Sequence, residues 1–128
     1  MRTWGDHYDD RCDPPDSPSE RRFVLASSPV LTTDKKARKE SPIARGVLGY
    51  FPRAIAAVAN VSFVGNEQHN PGQPMHWAKE KSNDHADCIV RHLIEAGTVD
   101  EDGLRHTAKA AWRALALLET ELEALEKK

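Results

Sequence analysis

The 128-residue chain has two cysteines, Cys12 and Cys88, and two thiols do not make a disulfide framework. Aromatic residues amount to 6%. The longest nearly uncharged stretch, residues 54–65, falls short of the roughly 20 apolar residues that cross a bilayer. Residues 1–22 are acidic and carry prolines but hold no apolar h-region, which argues against a signal peptide and makes a cytoplasmic location the expectation. Positive charge is not in excess: 18 Lys and Arg stand against 20 Asp and Glu, a net charge of −2, where a nucleic-acid binder would show a basic surplus. There is no Walker loop, GxGxxG, CxxC pair or HExxH, and no Gly-x-Ser-x-Gly elbow. With 39% hydrophobic and 30% charged residues and a mean hydropathy of −0.64, the chain suits one domain with part of it left unfolded.

The composition shifts along the chain. Residues 1–35 read as a disordered, acidic, proline-bearing arm and linker, with Asp6, Asp9, Asp10, Asp13 and Asp16 among Pro14, Pro15 and Pro18. Residues 23–31 suit a short strand or an extended segment, but a lone strand has no pairing partner. Residues 36–128 read as a helical domain. It opens on a basic stretch (Lys35, Lys36, Arg38, Lys39, Arg45), either a solvated linker or a phosphate-facing patch.

Three helices are expected. The first starts at Pro52, shows one apolar face through Ile55, Val58, Ala59 and Phe63, and stops at Gly65. A loop over residues 65–81 follows, long enough to suggest a role, with a turn at Asn70-Pro71-Gly72. The second helix spans residues 83–96, with Ser82 or Asp84 as its cap and Ala86, Ile89, Val90 and Leu93 as its buried stripe. The third spans residues 103–126, capped by Asp102, and is roughly 35 Å long. In it Leu104, Ala108, Ala111, Leu115, Leu118, Leu122 and Leu125 alternate steps of four and three, the heptad seam of a coiled coil. Its end outruns the other helices and leaves leucines uncovered in a monomer, so a homodimer through this seam is expected. The fold class is mainly α: a compact helical bundle with a long C-terminal helix and a disordered N-terminal arm.

Polar chemistry gathers between His69 and His106. His69, His76, His85, His92 and His106 share this window with Asp84, Asp87, Asp100, Asp102, Arg91 and Arg105, and Arg113 follows just beyond it. Asp84, Asp87 and Arg91 fall on one face of the second helix, and His85, Cys88 and His92 on an adjacent one. The two carboxylates suit Mg²⁺ or Mn²⁺ bridging to phosphates, or simply complement the helix dipole. The His–Cys–His set suits Zn²⁺ in type, yet its ends lie about 10 Å apart along the axis. His92 reads as a hydrogen-bonded core histidine or a pocket residue, and His106 can face the same pocket. Trp77 is a loop anchor or a stacking platform, and Trp112 is read as core.

The runs Gly65-Asn66, His69-Asn70-Pro71-Gly72, His76-Trp77, Asp84-His85-x-Asp87-Cys88, Arg91-His92-Leu93, Asp100-x-Asp102-Gly103, Arg105-His106 and Ala111-Trp112-Arg113-Ala114 occur in this order. Over about residues 36–123 the chain thereby resembles the N-terminal domain of the dATP/dGTP diphosphohydrolases, small phage and bacterial proteins associated with MazG-like nucleotide pyrophosphohydrolases. The resemblance implies cleavage of a purine deoxynucleoside triphosphate to the monophosphate and pyrophosphate. On that reading Asp84 and Asp87 would hold Mg²⁺ or Mn²⁺, and Asp84, Asp87, His92 and His106 would be catalytic. Asn66, His69, His76, Trp77, Lys81, Arg91 and Arg105 would bind substrate. MazG-type enzymes carry Glu-x-x-Glu followed by Glu-x-x-Asp; here the one Glu-x-x-Glu is Glu123–Glu126, with no Glu-x-x-Asp after it. The alternative is a non-catalytic nucleotide-binding or oligomerisation module.

Overall fold

The computed structural model describes residues 30–127, and Thr33–Lys128 form one compact unit. Most of the expected arm and of the segment 23–31 lies outside the described residues. The described part is helical and has no named strand.

Helix α1, Lys35–Arg38, starts at Asp34, whose carboxylate accepts from the Ala37 amide at 2.8 Å. An exposed π turn, Ala44–Leu48, leads to α2, Pro52–His69, with proline in its first turn. The expected stop at Gly65 is not used. Gly65 lacks the positive φ that ends helices (among the described glycines only Gly72, Gly97 and Gly103 adopt it), so α2 runs four residues further. It ends at Asn70, where the Pro71-Gly72 turn takes over, with Gly72 at φ 75°.

Helix α3, His85–Ile94, is shorter than expected. Asp84 holds the cap position, but its side chain makes no capping bond. The face that α3 buries is also not the expected one. His85 and Cys88 are buried, and Ile89 and His92 half-buried. Ala86, Val90, Leu93 and Ile94 are exposed, Ile94 at 78%. The imidazoles turn inward because polar partners await them on the next helix, so hydrogen bonding overrides the apolar stripe.

The long helix α4 covers His106–Glu126 and packs against α3 and α2. It begins later than expected because residues 98–105 close a tight turn first. Val99 and Arg105 form an antiparallel bridge, the Asp100 amide donates to Leu104 O at 2.8 Å, and Gly103 sits at φ 82°. Asp102 caps this turn, accepting from the Leu104 amide at 3.1 Å, rather than the helix. Along α4 the inward face is His106, Lys109, Ala110, Arg113, Ala116 and Leu117. The later seam leucines point the opposite way, at 100° per residue, and Leu115, Leu118, Leu122 and Leu125 are 49–63% exposed, whereas Leu104, the first residue of the expected seam, is buried in the core instead. The expectation that the helix end stays uncovered in one chain matches this exposure, and Leu115 joins it.

The buried apolar core among the described residues is small: Cys88, Leu104, Ala110 and Ala116. Asn66, His85 and His106 are buried beside it. Truncating Leu104 to alanine is expected to cost about 2–5 kcal/mol, whereas Leu93→Ala on the exposed face of α3 should stay within about 0.5 kcal/mol. Urea denaturation followed by circular dichroism distinguishes the two.

Candidate functional site

Asn66, buried near the end of α2, organises the long loop. Its Nδ2 donates to Gln73 O at 2.9 Å, and its Oδ1 accepts from the His76 amide at 3.2 Å. These bonds return the loop across α2 and place His76, Trp77 and Lys81 over a cavity of 710 Å³ bounded below by α2 and α4. That volume lies in the range of small-molecule sites, about 300–1,000 Å³.

The cavity has an aromatic wall and a cationic side. Trp77 meets Trp112 edge to face, with ring centroids 5.5 Å apart. Trp112 is not simply core: it lines the cavity and donates its indole N–H to Ser62 Oγ at 2.7 Å. Lys79 lies 5.1 Å over Trp77 and pairs with Glu123. Lys81, Lys109 and Arg113 bring cations to the lining.

Lys109 is the most constrained of them. Its ammonium lies 2.7 Å from a carboxylate oxygen of both Asp100 and Asp102. Burial opposes its charge, yet the two carboxylates prevail and hold it above its ordinary value. In return the Lys109 hydrogen bond, helped by the Glu101 amide, lowers Asp100 from 3.8 to about 2. Asp102 is lowered for the same first reason.

Beside this triad stand two histidines. His92, from the last turn of α3, and His106, from the first turn of α4, face each other through Nδ1 at 3.0 Å. His106 Nε2 lies 3.4 Å from a carboxylate oxygen of Glu95. Burial, followed by the charges of His106 and Lys109, lowers the pKa of His92. His92, Asp100 and His106 are the group among the described residues whose donor atoms could hold a metal ion, all within 4.8 Å of one another.

The structure sorts the expected site residues into two sets. Asn66, His69, His76, Trp77, Lys81 and His92 line the cavity. His106 joins them through His92. Asp84, Asp87, Arg91 and Arg105 are exposed and do not line it. Asp84 lies 3.5 Å from Arg91 and accepts from the Cys88 thiol, contacts that lower its pKa, the thiol first. A carboxylate so engaged and an exposed Asp87 form no gathered ligand set. The His–Cys–His set is likewise dispersed. His85 Nδ1 accepts from Arg113 at 3.2 Å, Cys88 Sγ accepts from Arg91 at 2.9 Å, and His92 turns to His106. His85 Nε2 is buried without a partner.

Lys109 and Ser62 were not among the expected site residues, Asp100 and Arg113 had no assigned role, and Asp102 was expected only as a helix cap. A signal exists for two of them: Lys109 and Arg113 follow His106 at i+3 and i+7, a polar stripe opposite the exposed leucines.

An all-helical domain with a cavity of this lining is the class the structure defines. The chain matches the family described as dATP/dGTP diphosphohydrolase, N-terminal, over residues 32–128, and it belongs to that family. Neither the curated proteins nor the solved structures give a match. No helix among the described residues is long and apolar enough to cross a membrane.

The depressed pKa of Asp100 links folding to acidity. Its ionised form stabilises the fold fully above 3.8, and this is lost as pH falls through about 2. Acid unfolding of the wild type between these values should be blunted in Asp100→Asn, as measured by circular dichroism across pH.

Proposed function

We propose that the cavity binds a purine deoxynucleoside triphosphate and that the domain acts in its hydrolysis to the monophosphate and pyrophosphate. Membership of a family of that description supports this reading, and the observation that carries it is the cavity's division into an aromatic wall and a cationic side. The base would lie against Trp77 and Trp112, where indole contact is tolerant of ring substituents. Lys81 and Arg113 would face the phosphates and offset charge that develops as the phosphoanhydride bond breaks. His92 and His76, which line the cavity, would pass a proton to or from a water. A divalent cation, when bound, would polarise the phosphates. Asp84 and Asp87 suit it poorly, one being tied to Arg91 and the other lying outside the cavity lining, whereas His92, Asp100 and His106 form a donor set beside it.

A second reading, assembly, rests on the exposed leucines of α4. Glu119, Glu121 and Glu126 flank that seam, so pairing two α4 helices would oppose like charges. The complementary surface within this chain is the basic segment of residues 35–53. It carries Lys35, Lys36, Arg38, Lys39 and Arg45 beside exposed Ile43, Val47, Leu48, Tyr50 and Phe51. We propose a homodimer in which the seam of one copy receives this segment of a second.

Incubation of the protein with each deoxynucleoside triphosphate and Mn²⁺ or Mg²⁺ should yield the purine monophosphate and pyrophosphate, resolved by ion exchange. Tryptophan quenching by dATP or dGTP reports binding alone, and Lys81→Met is expected to weaken it about tenfold, since a charge-assisted contact contributes about 1.5–3 kcal/mol. Absence of both quenching and turnover would overturn the nucleotide reading. Light scattering should give twice the chain mass, falling to one chain mass in Leu118→Glu/Leu122→Glu and at high salt. A monomer at every concentration would overturn the assembly.

A further inference from the structure

We infer that His92, His106 and Asp100 form a binding site for one divalent first-row transition ion, of the Mn²⁺ or Co²⁺ kind, beside the cavity. Three observations carry it, and none depends on what enters the cavity.

The first is the donor geometry. The two Nδ1 atoms lie 3.0 Å apart and the carboxylate of Asp100 lies within the same 4.8 Å group. With metal–nitrogen bonds of about 2.0–2.1 Å, two nitrogens 3.0 Å apart subtend about 95° at a metal. That angle suits an octahedral ion, which wants about 90°, better than a tetrahedral one at about 109°. Two imidazoles and a carboxylate leave open positions for water or a phosphate oxygen. Mg²⁺, which prefers oxygen donors and keeps its waters, fits this set poorly.

The second is the outer shell. Glu95 faces His106 Nε2 at 3.4 Å. A proton held there by the carboxylate leaves the Nδ1 lone pair directed at the site, the arrangement that orients metal-bound histidines. Lys109 shares the carboxylates of Asp100 and Asp102. It keeps Asp102 as a partner when an oxygen of Asp100 turns to a cation. Two carboxylates, Glu95 and Asp100, lie close to the rings, and Asp102 stands beside Asp100 on Lys109. Of the cations, Lys109 stands among them, and Arg113 acts on His92 from longer range.

The third is rigidity. The ligands come from the end of α3, the 98–105 turn and the start of α4. The Val99–Arg105 bridge, the Asp100 amide to Leu104 O and the His106 amide to Thr98 O at 3.2 Å brace that turn. The backbone that carries the ligands is thus held in place before an ion arrives, which favours binding.

The test is titration of the metal-stripped protein with MnCl₂ alone, following the electron paramagnetic resonance signal of free Mn²⁺. One ion per chain is expected, with Mg²⁺ a weak competitor. His92→Asn should weaken binding at least tenfold, and Glu95→Gln by about tenfold, the lower end for an outer-shell partner. Asp84→Asn/Asp87→Asn should bind as the wild type does. Because substituting buried His106 can disturb folding, a variant-free measurement stands beside these. In the wild type, Mn²⁺ should broaden the ring resonances of His92 and His106 at ratios that leave His69 and His76 sharp. Absence of saturable binding up to about 1 mM, a range of only about −4 kcal/mol, would overturn the site. So would unchanged affinity in His92→Asn, or broadening centred on other histidines. Tryptophan quenching by dATP without metal reports the cavity separately, so failure of one reading leaves the other measurable.

Discussion

The ammonium of Lys109, held between the carboxylates of Asp100 and Asp102 at 2.7 Å each, fastens the turn before α4 to the helix itself. Without it two carboxylates would face one another across a tight turn. The group is half-buried, its side chains 18–30% exposed, so loss of the cation would leave two like charges only partly screened by solvent and would loosen the turn, the start of α4 and the position of His106. His106 in turn meets His92, and so the end of α3 is registered against α4 through a chain of polar contacts rather than through a large apolar core.

That dependence explains the orientation of α3. A helix is expected to bury its apolar stripe. Here the inward side is His85, Cys88 and the half-buried His92, with Arg113 and His106 on α4 each meeting one ring nitrogen of the two imidazoles. The apolar side, Val90, Leu93 and Ile94, faces outward. The same inversion holds on α4, where Leu115, Leu118, Leu122 and Leu125 lie opposite the packed face. Polar groups therefore occupy the interior of this bundle and create a cavity, while much of the apolar surface is left for contacts beyond one chain.

The helices of the bundle were legible because proline, periodicity and glycine report local backbone preferences. Pro52 marks the start of α2 and the seam residues mark the length of α4. Family membership was legible because many polar positions occur in order, from Asn66 to Arg113. The end of α2 was missed because Gly65 permits a stop without requiring one. The true end is set by Asn70 and by the bonds that Asn66 makes to Gln73 and His76, contacts across a loop that no local pattern reveals.

The sequence by itself determined the helical class, the long C-terminal helix and the window in which polar chemistry gathers, since each rests on spacing along the chain. Tertiary structure decided which members of that window meet. Asp84 and Asp87 share a helix face on paper, yet one is drawn to Arg91 and the other to solvent. His92 and His106, fourteen residues apart, become neighbours at 3.0 Å because a closed turn folds α3 back along α4. Spacing orders residues along one helix, whereas a site shared by two helices and a turn needs the angle between them, and packing alone sets that angle.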